Sequence, residues 1–240
     1  MKKLILKLLA MIYLEDLAKA IFQFIKIAKR KITGVDRRII DEYLNNYRIR
    51  KLNIGCGENT LQGWLNSDCY PKSDKVMYID ATKPFIFKDN QFYYIFSEHM
   101  IEHISYQHGM QMLKECYRVL KSGGKLRVST PDLSFLINLY RSNKYEIQNE
   151  YIQWITDNFI QNAPFYDETF VINIFMREWG HQFIYDEKIL RYSFNAVGFK
   201  DVKVCLIHKS DDVNLCYLEN ESRMPAGFLR LESLILEGTK

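Results

Sequence analysis

No run in this 240-residue sequence approaches 18 uncharged apolar residues, so no segment is expected to span a bilayer. Cysteine is scarce: Cys56, Cys69, Cys116, Cys205 and Cys216 include no C-x-x-C pair and no compact Cys/His cluster. That argues against a disulfide framework and a structural zinc site, and makes the reducing cytoplasm the expected compartment. Internal repeats and low-complexity segments are missing as well. Met1-Lys-Lys followed by Leu4 to Leu14 has the outline of a secretory leader, but Lys7 interrupts the apolar run and no small-residue cleavage site follows.

A basic field over the body of the chain is also missing. The net charge is +4, yet residues 1 to 51 carry 13 Lys/Arg against 5 Asp/Glu, a net +8 that leaves −4 for the remainder. Polynucleotide-binding enzymes usually spread positive charge over the domain, so a small molecule or saccharide is the expected partner and nucleic acid is disfavoured. With 48% apolar residues the chain can bury one sizeable core, and 14% aromatics leave some rings for a binding surface.

Residues 4 to 28 place Leu4, Leu8, Met11, Ala18, Phe22 and Ile25 at helical spacing with lysines between them. Such a basic amphipathic helix either packs over the domain or lies on an anionic membrane face, through Lys2, Lys3, Lys7 and the Lys26 to Lys31 cluster. Gly34 is expected to end it, and a second helix to cover Asp36 to Tyr47. These 50 residues form an N-terminal extension to a domain spanning 51–240.

Within that domain the pattern shifts to short apolar runs at Lys51–Ile54, Trp64–Asn66, Lys75–Ile79, Phe92–Phe96 and Lys125–Ser129, with a helical pattern over Gln107–Leu120. βαβ units and a mostly parallel sheet follow. An amphipathic helix at Asp186–Val197, a strand at Phe199–Ile207 and a closing strand near Leu229–Leu236 complete the plan. Residues 132–185 are helical, rich in aromatics and additional to it. They are read as a lid inserted beyond the carboxyl end of the fifth strand, the ligand edge of an open α/β sheet.

Leu52-Asn-Ile-Gly-Cys-Gly57 is a strand running into a G-x-G turn, where the lack of Cβ atoms allows a sharp turn and close ligand approach. A dinucleotide site would need a third glycine and a full helix to receive the pyrophosphate; here Trp64 opens the next strand seven positions after Gly57. S-Adenosylmethionine has no phosphate and tolerates the short connection. Asp68 and Asp80 end the second and third strands at the same sheet edge, where Asp68 can accept a ribose diol and Asp80 an adenine amino group. Each of the two aspartates is equally a turn residue or cap.

Asn53-Ile-Gly-Cys-Gly, Gly63-Trp-Leu-Asn-Ser-Asp68, Ile79-Asp80-Ala81, Ser97-Glu-His-Met-Ile-Glu-His103, Tyr117-Arg-Val-Leu-Lys-Ser-Gly-Gly124 and Arg127-Val-Ser-Thr-Pro-Asp132 occur in an order that resembles class I methyltransferases of the methyltransferase type 11 group. Gly180-His-Gln-Phe-Ile-Tyr-Asp186 extends the likeness. The resemblance implies a Rossmann-like sheet with an antiparallel closing strand, S-adenosylmethionine as cofactor, and cofactor contacts from Asn53, Gly55, Cys56, Gly57, Asp68, Asp80, Ala81 and Ser97. Asn53 replaces the acid common at the start of the glycine motif, and the third glycine is absent. The competing reading is a cofactor-binding module without catalysis.

Methyl transfer is an in-line displacement that asks the protein to orient a nucleophile and remove its proton. Histidine suits that near neutral pH. His99, after the fourth strand, is the first candidate base, and His181, at the return of the lid, the second. His99 and His103 stand four apart, but no third ligand is evident, so no metal is assigned. Glu102 and His103 read as structural or capping residues, Gly123-Gly124 as a helix C-cap, and Asp132 as the cap of the first lid helix.

Overall fold

The computed structural model describes residues 17–18, 21–141 and 143–240. Among these, β1 (Lys51–Ile54), β2 (Leu65–Asp68), β3 (Met77–Tyr78), β4 (Phe92–Glu98), β5 (Leu120–Pro131), β6 (Lys200–Val204) and β7 (Ser233–Thr239) build one sheet. Its order is β3-β2-β1-β4-β5-β7-β6. The first five strands pair in parallel, and β7 runs antiparallel between β5 and β6. The strand order reverses between β1 and β4, which opens a crevice beyond their carboxyl ends.

Eight helices flank the sheet among the described residues: α1 (residues 21–33), α2 (Val35–Asn46), α3 (Tyr106–Val119), α4 (Leu133–Leu139), α5 (Glu146–Phe159), α6 (Glu168–Arg177), α7 (Glu187–Val197) and α8 (Phe228–Glu232). Local chemistry sets their ends. Gly34 adopts φ 64° between α1 and α2, as its sequence position implies. Ser105, Asp132 and Asp186 each accept a backbone N–H at the start of α3, α4 and α7, and Gly198 at φ 118° ends α7.

The main core lies where α3 and α7 cover the sheet. Leu52, Phe92, Ile95, Leu126 and Leu236 meet Met112, Leu113, Cys116 and Leu190, all fully buried. Each large apolar side chain so buried contributes about 1.5–3 kcal/mol, and truncation to alanine costs about 2–5 kcal/mol. A second core joins α4, α5 and α6 through Phe135, Leu139, Tyr151, Ile155, Val171 and Phe175, and Phe228 of α8 closes it. Phe135, Tyr151 and Phe175 of the segment after Pro131 are thus buried against each other beside the sheet, while Tyr140, Tyr145, Phe165 and Tyr166 are exposed.

Three expectations need adjusting. The helix expected over residues 4 to 28 falls largely outside the described residues; its described part, α1, runs to residue 33. Gly123 and Gly124 lie inside β5, where the pairing register to β4 shifts, and Leu120 is the cap of α3. A Cβ on Gly124 would stand 2.8 Å from the Lys121 carbonyl, so the pair serves a bulge. The third strand is only Met77–Tyr78, because Ser73 to Lys75 turn outside the ladder.

Candidate active site

β1 ends at the glycine turn, and both glycines take left-handed backbone: Gly55 at φ 68° and Gly57 at φ 51°. A Cβ on Gly55 would lie 2.2 Å from Met100 Cγ, so that position is sterically closed. Around Gly57 the space a Cβ would occupy is open, with no atom within 4 Å. That open side belongs to a cavity of about 560 Å³ at the carboxyl ends of β1, β2 and β3. Its size lies within the usual range for small-molecule sites.

Asp68 is held by the turn it faces. Its Oδ2 accepts the Gly57 N–H at 2.9 Å and its Oδ1 the Tyr70 N–H at 2.7 Å. An ionised carboxylate has about four acceptor positions, so two remain for a vicinal diol. Asp80 lines the same cavity, and its Oδ1 accepts both the N–H and the hydroxyl of Thr82, at 2.9 and 2.6 Å. Asp80 is therefore a turn cap whose other oxygen is available to a ligand.

Of the residues singled out for the cofactor, Gly55, Gly57, Asp68, Asp80 and Ala81 line this cavity. Asn53, Cys56 and Ser97 stand behind its wall. Asn53 is almost fully buried and donates from Nδ2 to the Asn59 carbonyl and Asn66 Oδ1, both at 3.0 Å. It fastens the loop that replaces a helix after the glycine turn. The Cys56 thiol is buried, which pushes its pKa up to about 12 and leaves it inert. Ser97 Oγ is enclosed without a partner. Gln23 and Ile27 of α1 line the cavity too, and nothing in the spacing of the chain announces them. Gln23 Nε2 donates to the Cys69 carbonyl at 3.1 Å.

His99 and His103 line this cavity and also a second one of about 250 Å³, whose far wall is Trp154, Phe159, Phe175 and Trp179 of the helical segment. His99 carries strained backbone at φ 44°. Its Nε2 lies 2.9 Å from Ser233 Oγ, and its Nδ1 lies 3.5 Å from Glu102 Oε1 and 4.0 Å from Glu232 Oε1. Burial, with help from nearby Arg223, holds the His99 pKa well below its ordinary value. Burial likewise raises the Glu102 carboxyl to about 8 and that of Glu232 to about 7. Tyr151 donates its hydroxyl to Glu232.

His181 reaches the same pocket, with Nδ1 2.8 Å from the Phe175 carbonyl and its ring 4.8 Å from that of His103. Glu98 does not reach it. Its two oxygens accept from Asn220 N–H and Asn59 Nδ2, both at 2.9 Å, so it ties loops together. Glu102 and His103 form a 3₁₀ turn, Ile101–His103, instead of the longer helix that would have aligned His99 with His103. Glu232 and Arg223 have no signal of their own in the sequence, and Trp154 only the aromatic richness of its segment.

A larger groove of about 1100 Å³ lies between α1, α2 and the chain around residues 83–91. It shares Tyr78, Ile79 and Asp80 with the first cavity but includes neither the glycine turn nor Asp68. Volume alone does not make it the reaction site.

Residues 70–128 match the family model described as a methyltransferase domain. A comparison with curated proteins finds no match. Among solved structures, the chain is similar to a SAM-dependent methyltransferase from Archaeoglobus fulgidus, with 15% identity over 88% of this chain and 94% of that one and a TM-score of 0.45. It is also similar to an S-adenosylmethionine-dependent methyltransferase from Mesorhizobium loti, with 13% identity over 80% and 90% of the two chains and a TM-score of 0.44. Likenesses at this level bear on neither acceptor nor site residues. The matched segment begins just after Asp68 and ends within β5, so it takes in the motifs from Ile79 to Val128 and leaves the glycine turn outside. The methyltransferase-domain match covers about a quarter of the chain, and the strand order is that of a Rossmann-like sheet.

Proposed function

We propose that the protein methylates a small-molecule or saccharide acceptor, at a hydroxyl oxygen or an amine nitrogen, bound in the 250 Å³ pocket. The observation that carries this reading is the partition: His99 and His103 line both cavities, so cofactor and acceptor meet across them. When bound, S-adenosylmethionine supplies a methyl group already activated on sulfur. Gly55 and Gly57 admit it close to the backbone, Asp68 accepts its ribose hydroxyls, and Asp80 and Ala81 flank the adenine.

The acceptor side divides its work between rings and ionisable groups. Trp154, Phe159, Phe175 and Trp179 exclude water from the pocket and bind the flat or apolar face of the acceptor. His99 receives the proton that an acceptor hydroxyl must lose, and His181 is the second candidate for that role. Residues 132–185 act as the lid. A pocket of this size under a ring of aromatics takes a small acceptor, and the net −4 of the chain after residue 51 gives no support for a polynucleotide.

The test is incubation of the protein with labelled S-adenosylmethionine and a cell extract separated into small metabolites, glycolipids, protein and RNA. Label entering the first two fractions supports the reading, and label in RNA alone overturns it. Cofactor binding without transfer to any fraction supports a non-catalytic binding module. His99→Ala is expected to lower turnover about 10²–10⁴-fold, and unchanged turnover in both His99→Ala and His181→Ala removes histidine from the proton transfer.

We also propose that the outer face of α1 rests on an anionic membrane surface. Ile21, Phe24, Ile25 and Ile32 are exposed along it. Lysines flank them, and the first 51 residues carry the positive charge of the chain.

A further inference from the structure

Glu102 has a hydrogen-bonding position that the protein alone leaves unfilled. Its side chain is completely buried, and Oε2 accepts a hydrogen bond from Thr130 Oγ1 at 3.2 Å. Oε1 has no hydrogen-bond partner. Among the described residues no lysine or arginine lies within 4.0 Å of it, and its nearest basic neighbour is the His99 ring. A buried acceptor without a donor or cation is costly, and native proteins keep such groups where something binds.

What stands beside the Glu102 carboxyl is a set of metal-ligand types. One ligand atom each from Glu102, His103 and His181 lie within 4.8 Å of one another. The His181 ring is oriented as a ligand would be: Nδ1 faces the Phe175 carbonyl at 2.8 Å, so it carries the proton and leaves the Nε2 lone pair free. His103 is half-buried, and its ring hydrogen-bonds the backbone at Trp179 and Gly180, which leaves one ring nitrogen for an ion. The site borders the 250 Å³ pocket, which leaves room for a further ligand on a bound ion. Ligand atoms around a tetrahedral zinc ion at about 2.1 Å stand roughly 3.4 Å apart, so modest rotation of the two rings closes the set.

The geometry points to a divalent transition-metal site of the zinc class, held by Glu102, His103 and His181 with one position open toward the acceptor pocket. Two histidines and one carboxylate are the ligand types of catalytic zinc and of open-sided iron(II) sites. Sequence spacing hides the set, because His181 is far along the chain from Glu102 and His103. The inference deepens the proposed methyl transfer and rests on that reading for its purpose: an ion there polarises the acceptor oxygen beside the cofactor cavity, and the released proton passes to His99. Its binding to the protein does not depend on the cofactor.

The test uses the full chain, freed of metal with a chelator and titrated with Zn²⁺ by calorimetry and with Co²⁺ by its visible ligand-field absorption. One ion per chain is expected, with a Co²⁺ spectrum of a four- or five-coordinate nitrogen and oxygen site. Glu102→Gln, which keeps size and shape, and His181→Ala are each expected to weaken Zn²⁺ by tenfold or more. Neither residue lines the cofactor cavity, so both variants should bind S-adenosylmethionine within a few fold of the parent, which also shows that they fold. Absence of stoichiometric binding, or equal affinity in parent and variants, overturns the site. Metal binding without cofactor binding leaves the ion in place and overturns the methyltransferase reading; cofactor binding without metal does the reverse.

Discussion

Asp68 and Gly57 are joined at 2.9 Å, the carboxylate of the second strand accepting the amide of the turn that ends the first. This bond sets the distance between two elements that line one cavity and leaves further acceptor positions on Asp68 unused. Asp68→Ala is expected to weaken S-adenosylmethionine by about 1.5–3 kcal/mol, the range for hydrogen bonds to a charged group. Calorimetry of parent and variant checks it. A variant that binds as the parent does would remove Asp68 from the cofactor site.

Gly55 and Gly57 should respond differently to a methyl group. Both have positive φ, which costs about 1–2 kcal/mol for an alanine. At Gly55 the new Cβ would also overlap Met100, so Gly55→Ala is expected to lose about 1–3 kcal/mol more. Gly57→Ala has free space and is expected to lose only the backbone amount in stability, and because Gly57 lines the cavity its cofactor affinity is expected to fall. Urea unfolding with and without cofactor separates the two effects.

How much of this was legible in the chain depends on where the partners of each residue lie. The parallel sheet, the glycine turn and the two strand-end aspartates follow from short apolar runs punctuated by glycine, all of it local information. Arg127 shows what is not local. Inside β5 it is fully buried between Glu219 and Glu237, at 2.6 and 2.5 Å. Those carboxylates lie 92 and 110 positions away. The resemblance implies a cofactor contact for Asn53, whereas its amide donates to the Asn59 carbonyl and Asn66 Oδ1. The acceptor pocket needs Trp154, His181 and Glu232 brought to one place, and no period or motif encodes that convergence.

Glu115 ties α3 to the chain after the third strand. Its Oε2 accepts the Phe85 N–H at 2.6 Å, and Arg118 bonds both its oxygens, at 2.7 and 2.9 Å. The Arg118 hydrogen bonds hold the Glu115 carboxyl below its ordinary range. A carboxyl depressed on folding contributes stability that is complete above its unfolded pKa, about 4.3, and is lost as pH falls through the lower folded value. Glu115→Gln is expected to cost about 1–2 kcal/mol at pH 7, with the difference from the parent shrinking between about pH 5 and pH 3. Denaturant titrations across that window check the sign. A gap that widens on acidification would contradict the assignment.

α1 has two faces with different tasks. On the inner one Gln23, Lys26 and Arg30 donate to the carbonyls of Cys69, Pro71 and Val76, at 3.1, 2.6 and 2.7 Å, which clamps the helix over the edge of the sheet. On the outer one Phe24 is 73% and Ile32 86% exposed, an apolar stripe that costs free energy in water. Lys29 and Lys31 border it, so the complementary partner is apolar within and negative at its surface. The full chain is expected to sediment with vesicles of phosphatidylglycerol and phosphatidylcholine and not with phosphatidylcholine alone. The double variant Ile21→Ser, Phe24→Ser should lose at least tenfold in vesicle affinity while binding S-adenosylmethionine as before, because neither residue lines the cavity. Equal binding to neutral vesicles would rule out the charge contribution, and no binding to either would rule out the membrane. A dimer in sedimentation equilibrium that the double variant converts to monomer would assign the stripe to a second copy of the chain instead.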